Sequence, residues 1–134
     1  MLKYLLCLVA ILLVGCSNPN GHRAPVSGQV TLDGDPLAEG SILFTPMGEG
    51  PSAGGDIKNG HYDLSQALGP AHGKYRVQIS AWKPLGKTVH DEASARDDEI
   101  LISIIPAKYN TKSTLEVEVI QDGENTFDFD LASK

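Results

Sequence analysis

Apolar and polar positions alternate in short runs along most of this chain, and the period is that of extended backbone. In Val26 to Leu32, Val26, Gly28, Val30 and Leu32 alternate with Ser27, Gln29 and Thr31, so one side of a strand can be buried while the other meets water. Asp33, Gly34, Asp35 and Pro36 end that strand, Gly34 supplying a positive φ and Pro36 withholding a ladder donor. Ser41 to Thr45 predicts a second strand with Ile42 and Phe44 inward. Asp56 to Lys58 and His61 to Leu64 flank Asn59-Gly60, a hairpin signal because a type I′ turn needs two positive φ angles. Gly73 to Trp82 is the clearest strand, with Tyr75, Val77, Ile79 and Ala81 on one face and Lys74, Arg76, Gln78, Ser80 and Trp82 on the other. Leu115, Val117 and Val119 point in, and Glu116 and Glu118 point out. A turn at Asp122 to Asn125 then predicts a closing hairpin with Thr126 to Leu131, whose Phe127, Phe129 and Leu131 face inward.

Other segments lack this alternation. Pro46 to Gly55 is rich in glycine and proline and reads as a mobile loop, and Lys83 to Glu99 is long, charged and aperiodic, which predicts an exposed loop. Ile100 to Ile105 is nearly all apolar and reads as a strand covered on both faces, or as a buried turn of helix. No stretch holds a helical period. The expectation is one all-β domain over residues 26–132, a β-sandwich of seven or eight short strands with no internal repeat.

The start of the chain is different. Lys3 precedes an apolar run from Leu5 to Val14, about half the ~20 residues a bilayer span needs and the right length for a secretory h-region. Leu13-Val14-Gly15-Cys16 resembles the lipobox of bacterial lipoproteins. The resemblance implies that residues 1–15 are a signal peptide cut before Cys16, and that Cys16 carries a diacylglyceryl thioether and becomes the acylated first residue. The alternatives are ordinary secretion and a retained short anchor. Ordinary cleavage wants an A-x-A-like arrangement, which does not follow the apolar run. Residues 16–25, with Pro19, Gly21 and Pro25, then form a lipidated, turn-rich tether. Ser17 stands where an aspartate would signal retention in the inner membrane, so the outer membrane of the cell envelope is the favoured location.

Composition agrees with export. One of the two cysteines, Cys7, would leave with the signal, so the mature chain could form no disulfide. The whole sequence has 11 basic and 17 acidic residues for a net charge of −6, and loss of Lys3 leaves 10 basic residues. An acidic surface argues against nucleic acid and anionic lipid as partners.

V-S-G-Q-V-T-L-D-G-D-P-L (Val26 to Leu37), N-G-H-Y-D-L (Asn59 to Leu64) and G-K-Y-R-V-Q-I (Gly73 to Ile79) together resemble the carboxypeptidase regulatory-like, transthyretin-like domains. P-A-K-Y-N (Pro106 to Asn110) and F-D-F-D-L (Phe127 to Leu131) are similar to the tail of small lipoproteins of planctomycete-type bacteria. The resemblance implies a transthyretin-like, prealbumin-type sandwich that works as an accessory module for folding support, adhesion or carbohydrate contact. A catalytic branch of the superfamily, the hydroxyisourate hydrolases, ends in a Y-R-G-S-type tail. This chain ends L-A-S-K, which counts against that activity.

A search for reactive constellations leads the same way. His22, His61, His72 and His90 lack the spacing of a zinc site, and each reads as a solvated surface residue. No G-x-S-x-G elbow occurs, and Ser80-Ala81-Trp82-Lys83 is an S-x-x-K string at a strand end rather than on a helix. Gly48, Gly50, Gly54 and Gly55 precede no helix that could hold phosphate. Asp33 and Asp35 lack EF-hand spacing, and Asp97, Asp98, Glu99, Asp128 and Asp130 read as exposed acids. No catalytic residue, metal or cofactor is therefore expected. Trp82 is the one ligand clue, and it has two readings. It is either a stacking platform for a glycan beside the 83–99 loop or, the preferred of the two, a satellite core residue folded beneath that loop. Tyr62 and Tyr75 are expected in the core, and the Tyr109 hydroxyl is expected to bond backbone. These readings predict a non-catalytic envelope lipoprotein, a structural or binding module whose partners are the membrane, through its anchor, and an envelope glycan or protein.

Overall fold

A computed structural model describes residues 22–134, so the predicted signal segment, Cys16 and most of the tether lie outside the described residues. Ten strands follow one another: β1 Val26–Leu32, β2 Asp35–Pro36, β3 Glu39–Pro46, β4 Ala53–Lys58, β5 His61–Leu64, β6 Gly73–Ser80, β7 Trp82–Asp91, β8 Arg96–Ser103, β9 Leu115–Val119 and β10 Phe129–Leu131. A 3-10 turn at Ala107–Tyr109 lies between β8 and β9. The main sheet runs β10-β1-β5-β4-β3-β6-β9, with β2 paired to β1, and β7 and β8 form a separate two-stranded sheet.

The main sheet curls until distant strands share one core. Phe44 on β3 meets Tyr62 on β5 at 6.1 Å between ring centroids, although β4 stands between those strands, and Tyr62 stacks on Phe129 of β10 at 6.5 Å. The result is all-β and sandwich-like. Most positions that alternation assigned inward are buried, among them Val26, Val30, Ile42, Phe44, Tyr62, Tyr75, Val77, Ile79 and Ala81, whereas Leu32, Leu115, Val117 and Phe127 are only partly buried against the core. Asn59 and Gly60 both have positive φ, at 51° and 77°, as the β4–β5 turn requires. Tyr62 donates its hydroxyl to the Phe127 carbonyl at 2.5 Å, and burial pushes its phenol well above the ordinary range.

Several expectations are corrected. Lys83 to Glu99 is no loop, because most of it belongs to β7 and β8, an antiparallel ribbon with Trp82 opposite Ser103 and Asp91 opposite Arg96. Both ribbon faces meet water along most of their length, so no apolar alternation marked it. Ile100 to Ile105 is not a strand covered on both sides: Leu101 is 54% exposed, and only Ile105 is fully buried. Pro46 to Gly55 is partly strand, since β4 begins at Ala53. The closing hairpin does not form. β9 pairs antiparallel with β6, whereas β10 pairs parallel with β1, Val30 opposite Phe129. Asn125 diverts the chain. Its buried side chain accepts from the Ile120 amide and donates to the Ile120 carbonyl, both at 2.8 Å, while its own carbonyl accepts from the Ser27 amide of β1 at 3.1 Å. The tether also joins the fold earlier than expected. Arg23 bridges to Ala71, its guanidinium donates to the Gly69 carbonyl at 3.0 Å, and Ala24 is 1% exposed.

Gly28 sits where the last segment crosses β1. A Cβ there would lie 1.9 Å from the Phe127 carbonyl oxygen and 2.8 Å from the Tyr62 hydroxyl. Backbone on one side and a buried ring on the other leave no room to yield. Gly28→Ala is therefore expected to cost about 1–3 kcal/mol, read as a lower denaturant midpoint at unchanged m-value.

Candidate functional site at Trp82

Strand β6 carries the chain from the core to the site. Ala81 ends the inward row of residues at 0% exposed, and the next residue, Trp82, is turned to the other face and is 61% exposed. The Ile104 amide donates to the Ala81 carbonyl at 3.0 Å, which fixes the root of the ribbon against the sheet. Trp82 is thus not a satellite core residue. The segment expected to cover it pairs with itself as β7 and β8, leaving the indole uncovered.

Two grooves meet at this side chain. The first, of about 540 Å³, is walled by Trp82 and by the Lys58-Asn59 turn, and its floor includes Ser41, Asp56 and Ser80. The pairing register explains that floor, because Ser41 on β3 lies opposite both Asp56 on β4 and Ser80 on β6. Gly40 keeps the end of β3 tight against β6, since a Cβ would stand 2.7 Å from the Ser80 carbonyl oxygen. The second groove, of about 420 Å³, shares Trp82 and Ser80 and adds Gln78, Ser103, Asn110 and Thr111. An aromatic face beside short hydroxyl, amide and carboxylate groups can stack on an apolar ring face and hydrogen-bond the groups at its rim. Sequence parity gave the side on which Trp82 lies. It gave no sign of Ser41, Asp56, Lys58 or Thr111, which come from three other stretches of chain.

The site lies far from where the chain enters the fold. Arg23 pairs with Ala71 beside the start of β6, and Trp82 follows its end. Eight extended residues separate these poles by about 25 Å.

The other candidates serve structure or stand apart. His22 and His72 meet edge to face at 6.1 Å, and His90 bonds Asp97 at 2.8 Å on the exposed ribbon. No group of three or more His, Cys, Asp or Glu side chains that could hold a metal occurs among the described residues. Asp128 accepts from the Gln29 amide at 2.9 Å and Asp130 from the Thr31 hydroxyl at 2.7 Å, so both tie β10 to β1. Hydrogen bonds from Ser133, side chain before backbone, hold the Asp33 carboxyl below its usual range. The Tyr109 hydroxyl accepts from the Ala132 amide at 3.2 Å, the backbone bond expected of it.

No family model and no curated protein sequence matches the chain. Among solved structures, a 9R-lipoxygenase from Cyanothece PCC8801 is similar at a TM-score of 0.37 and 12% identity, over 87% of this chain and 17% of that one. The chain spans less than a fifth of that enzyme's length, and at that score the likeness assigns neither a fold family nor an activity.

Proposed function

We propose that this chain is a non-catalytic binding module of a bacterial cell envelope: a transthyretin-like β-sandwich, tethered through lipid on Cys16, that holds a glycan against Trp82. The observation that carries the reading is the exposed indole between two grooves lined with short polar side chains. A sugar ring presents an apolar CH face to an aromatic plane and hydroxyl groups at its edge, and Ser41, Ser80, Gln78 and Asn110 lie around the indole to meet them. The lipid anchor rests on the L-V-G-C string, and the transthyretin-like assignment rests on the quoted turn and strand motifs. The distance between the two poles adds a mechanical argument. An anchor leading into Arg23 leaves the Trp82 end directed away from the lipid surface, toward envelope polymer.

A glycan array on the purified protein, followed by calorimetry on the best hit, tests the reading. Trp82→Ala is expected to weaken binding by about tenfold or more, equivalent to ~1.4 kcal/mol or more, with the melting temperature unchanged because the indole is mostly exposed. Equal binding by the two proteins removes the glycan reading.

A further inference from the structure

We propose that the glycan held at Trp82 is a linear chain of about four or five rings, laid across the strands in a trough that runs from the indole over the outer face of the main sheet to β1. The inference rests on the glycan reading above and names the class of glycan. Strand register builds the trough. On the outer face, Glu39 of β3 stands opposite Lys58 of β4, Lys58 opposite His61 of β5, and His61 opposite Gln29 of β1. These four long, exposed side chains form a wall. Two residues along each strand, on the same face, the side chains are short: Ser80 is opposite Ser41, Ser41 opposite Asp56, and Asp63 opposite Ser27. Two residues further, Gln78 and Leu43 stand opposite each other on the far side. A row of short side chains beside a row of long ones leaves a channel, and the grooves follow it. The first groove at Trp82 shares Asp56 and Lys58 with one of about 380 Å³ over β4 and β5, which in turn shares His61 and Asp63 with another of about 380 Å³ beside β1 and Asp128. The five neighbouring strands β6, β3, β4, β5 and β1, at ~4.8 Å apart, carry the trough over about 19 Å.

Chemistry selects the occupant. The trough crosses strands whose backbone groups are already paired within the sheet, so an extended peptide lying in it finds no strand edge to pair with. A polysaccharide needs none. Its hydroxyl groups recur once per ring, and the hydroxyl, carboxylate and amide groups of the trough recur once per strand, at a spacing close to the length of one ring in an extended chain. Glu39, Asp56, Asp63 and Asp128 line the path against Lys58 as the one permanent cation, with His61 between them. Among the described residues, Glu39, Asp56, Lys58 and Asp63 form no ion pair, so their charges face the ligand. Four carboxylates to one lysine repel a polymer that bears acid groups. A single sugar or a branched tip would use the Trp82 end alone, whereas an unbranched chain without acid groups meets the whole row.

The test titrates the full chain, in a polyoxyethylene detergent, with cello-oligosaccharides and N-acetylated chito-oligosaccharides of two to six rings, both linear and uncharged. In at least one series the affinity is expected to rise about tenfold or more between two rings and five, and then to level off. Diethylpyrocarbonate, which acylates accessible imidazoles, supplies a readout that needs no substitution. Five rings are expected to protect His61 and two are not, while His22 and His72 at the opposite pole and His90 on the ribbon react equally throughout. His61→Ala with Asp63→Ala removes wall and floor at the far end, so that five rings are expected to bind no tighter than two. Both side chains are exposed, and an unchanged circular dichroism spectrum separates lost binding from lost folding. Affinity that stops rising at two rings, His61 left unprotected by five, or a length dependence that survives the double substitution overturns the trough. If Trp82→Ala still abolishes binding in that case, the glycan reading at Trp82 stands without it. Tighter binding of oligogalacturonate of equal length also overturns the proposal, as does failure of both neutral series to bind; the Trp82 reading then falls with it only if the glycan array is blank as well.

Discussion

Val77→Asp is expected to unfold the domain. Val77 is 0% exposed on β6, opposite Phe44 of β3 on one side and Leu115 of β9 on the other, at the point where three strands of the main sheet lie edge to edge. Its carbonyl is already taken by the Ser113 hydroxyl, which is itself buried. A carboxylate there would face Phe44, Tyr75 and Ile79, none of which can supply a charged partner. Burying an unpaired charge costs several kcal/mol, against a total stability of about 5–15 kcal/mol for a domain of this kind. Loss of the cooperative thermal transition and of the β circular dichroism signal checks this. Full retention of both would mean that Val77 does not face the core.

The same residue shows what the sequence made legible. On β6 the inward row of Tyr75, Val77, Ile79 and Ala81 could be read directly, because one side of the strand is dry and the other wet. β1, β3 and the β4–β5 turn were readable for the same reason or through the positive φ angles of Asn59 and Gly60. Alternation names the wet side of a strand but not its neighbour in the sheet. The closing strand therefore had the correct inward residues, Phe129 and Leu131, and the wrong partner. Its place beside β1 is held by Asn125, whose side-chain amide closes the turn back on Ile120, together with Asp128 on the Gln29 amide and Asp130 on the Thr31 hydroxyl. An asparagine in a polar turn looks the same in sequence whether it is buried or solvated.

The ribbon and the site fail to show for a related reason. A strand with water on both faces has no period to display, so Lys83 to Glu99 resembled a loop. Once that segment pairs with itself it cannot also cover Trp82, and one misread element reversed the expected environment of the indole. The groove beside it is assembled by register from β3, β4 and β6, whose serines and aspartate carry no local signature. Parity placed the tryptophan on the correct face, and only the pairing of strands far apart in sequence could show what stood around it.

Cys16→Ser is expected to release the protein from the membrane while leaving its fold and its Trp82 groove intact. Each buried methylene of an acyl chain contributes about 0.8 kcal/mol, so one chain gives reversible attachment and two or three give attachment that outlasts any fractionation. No helix among the described residues is long and apolar enough to cross a membrane, and the acidic balance of the chain opposes adsorption to anionic lipid. Cys16 lies outside the described residues, and none of the contacts described for the domain involves it. At about 3.4 Å per extended residue, an anchor at Cys16 would lie no more than ~25 Å of chain from Arg23. Wild-type protein is expected to sediment with membranes and, by intact mass, to begin at Cys16 with the added mass of its acyl groups. The variant is expected in the soluble fraction with the wild-type melting temperature. An unmodified Cys16 in the wild type, or a mature end elsewhere, would refute the anchor and with it the proposed orientation of Trp82.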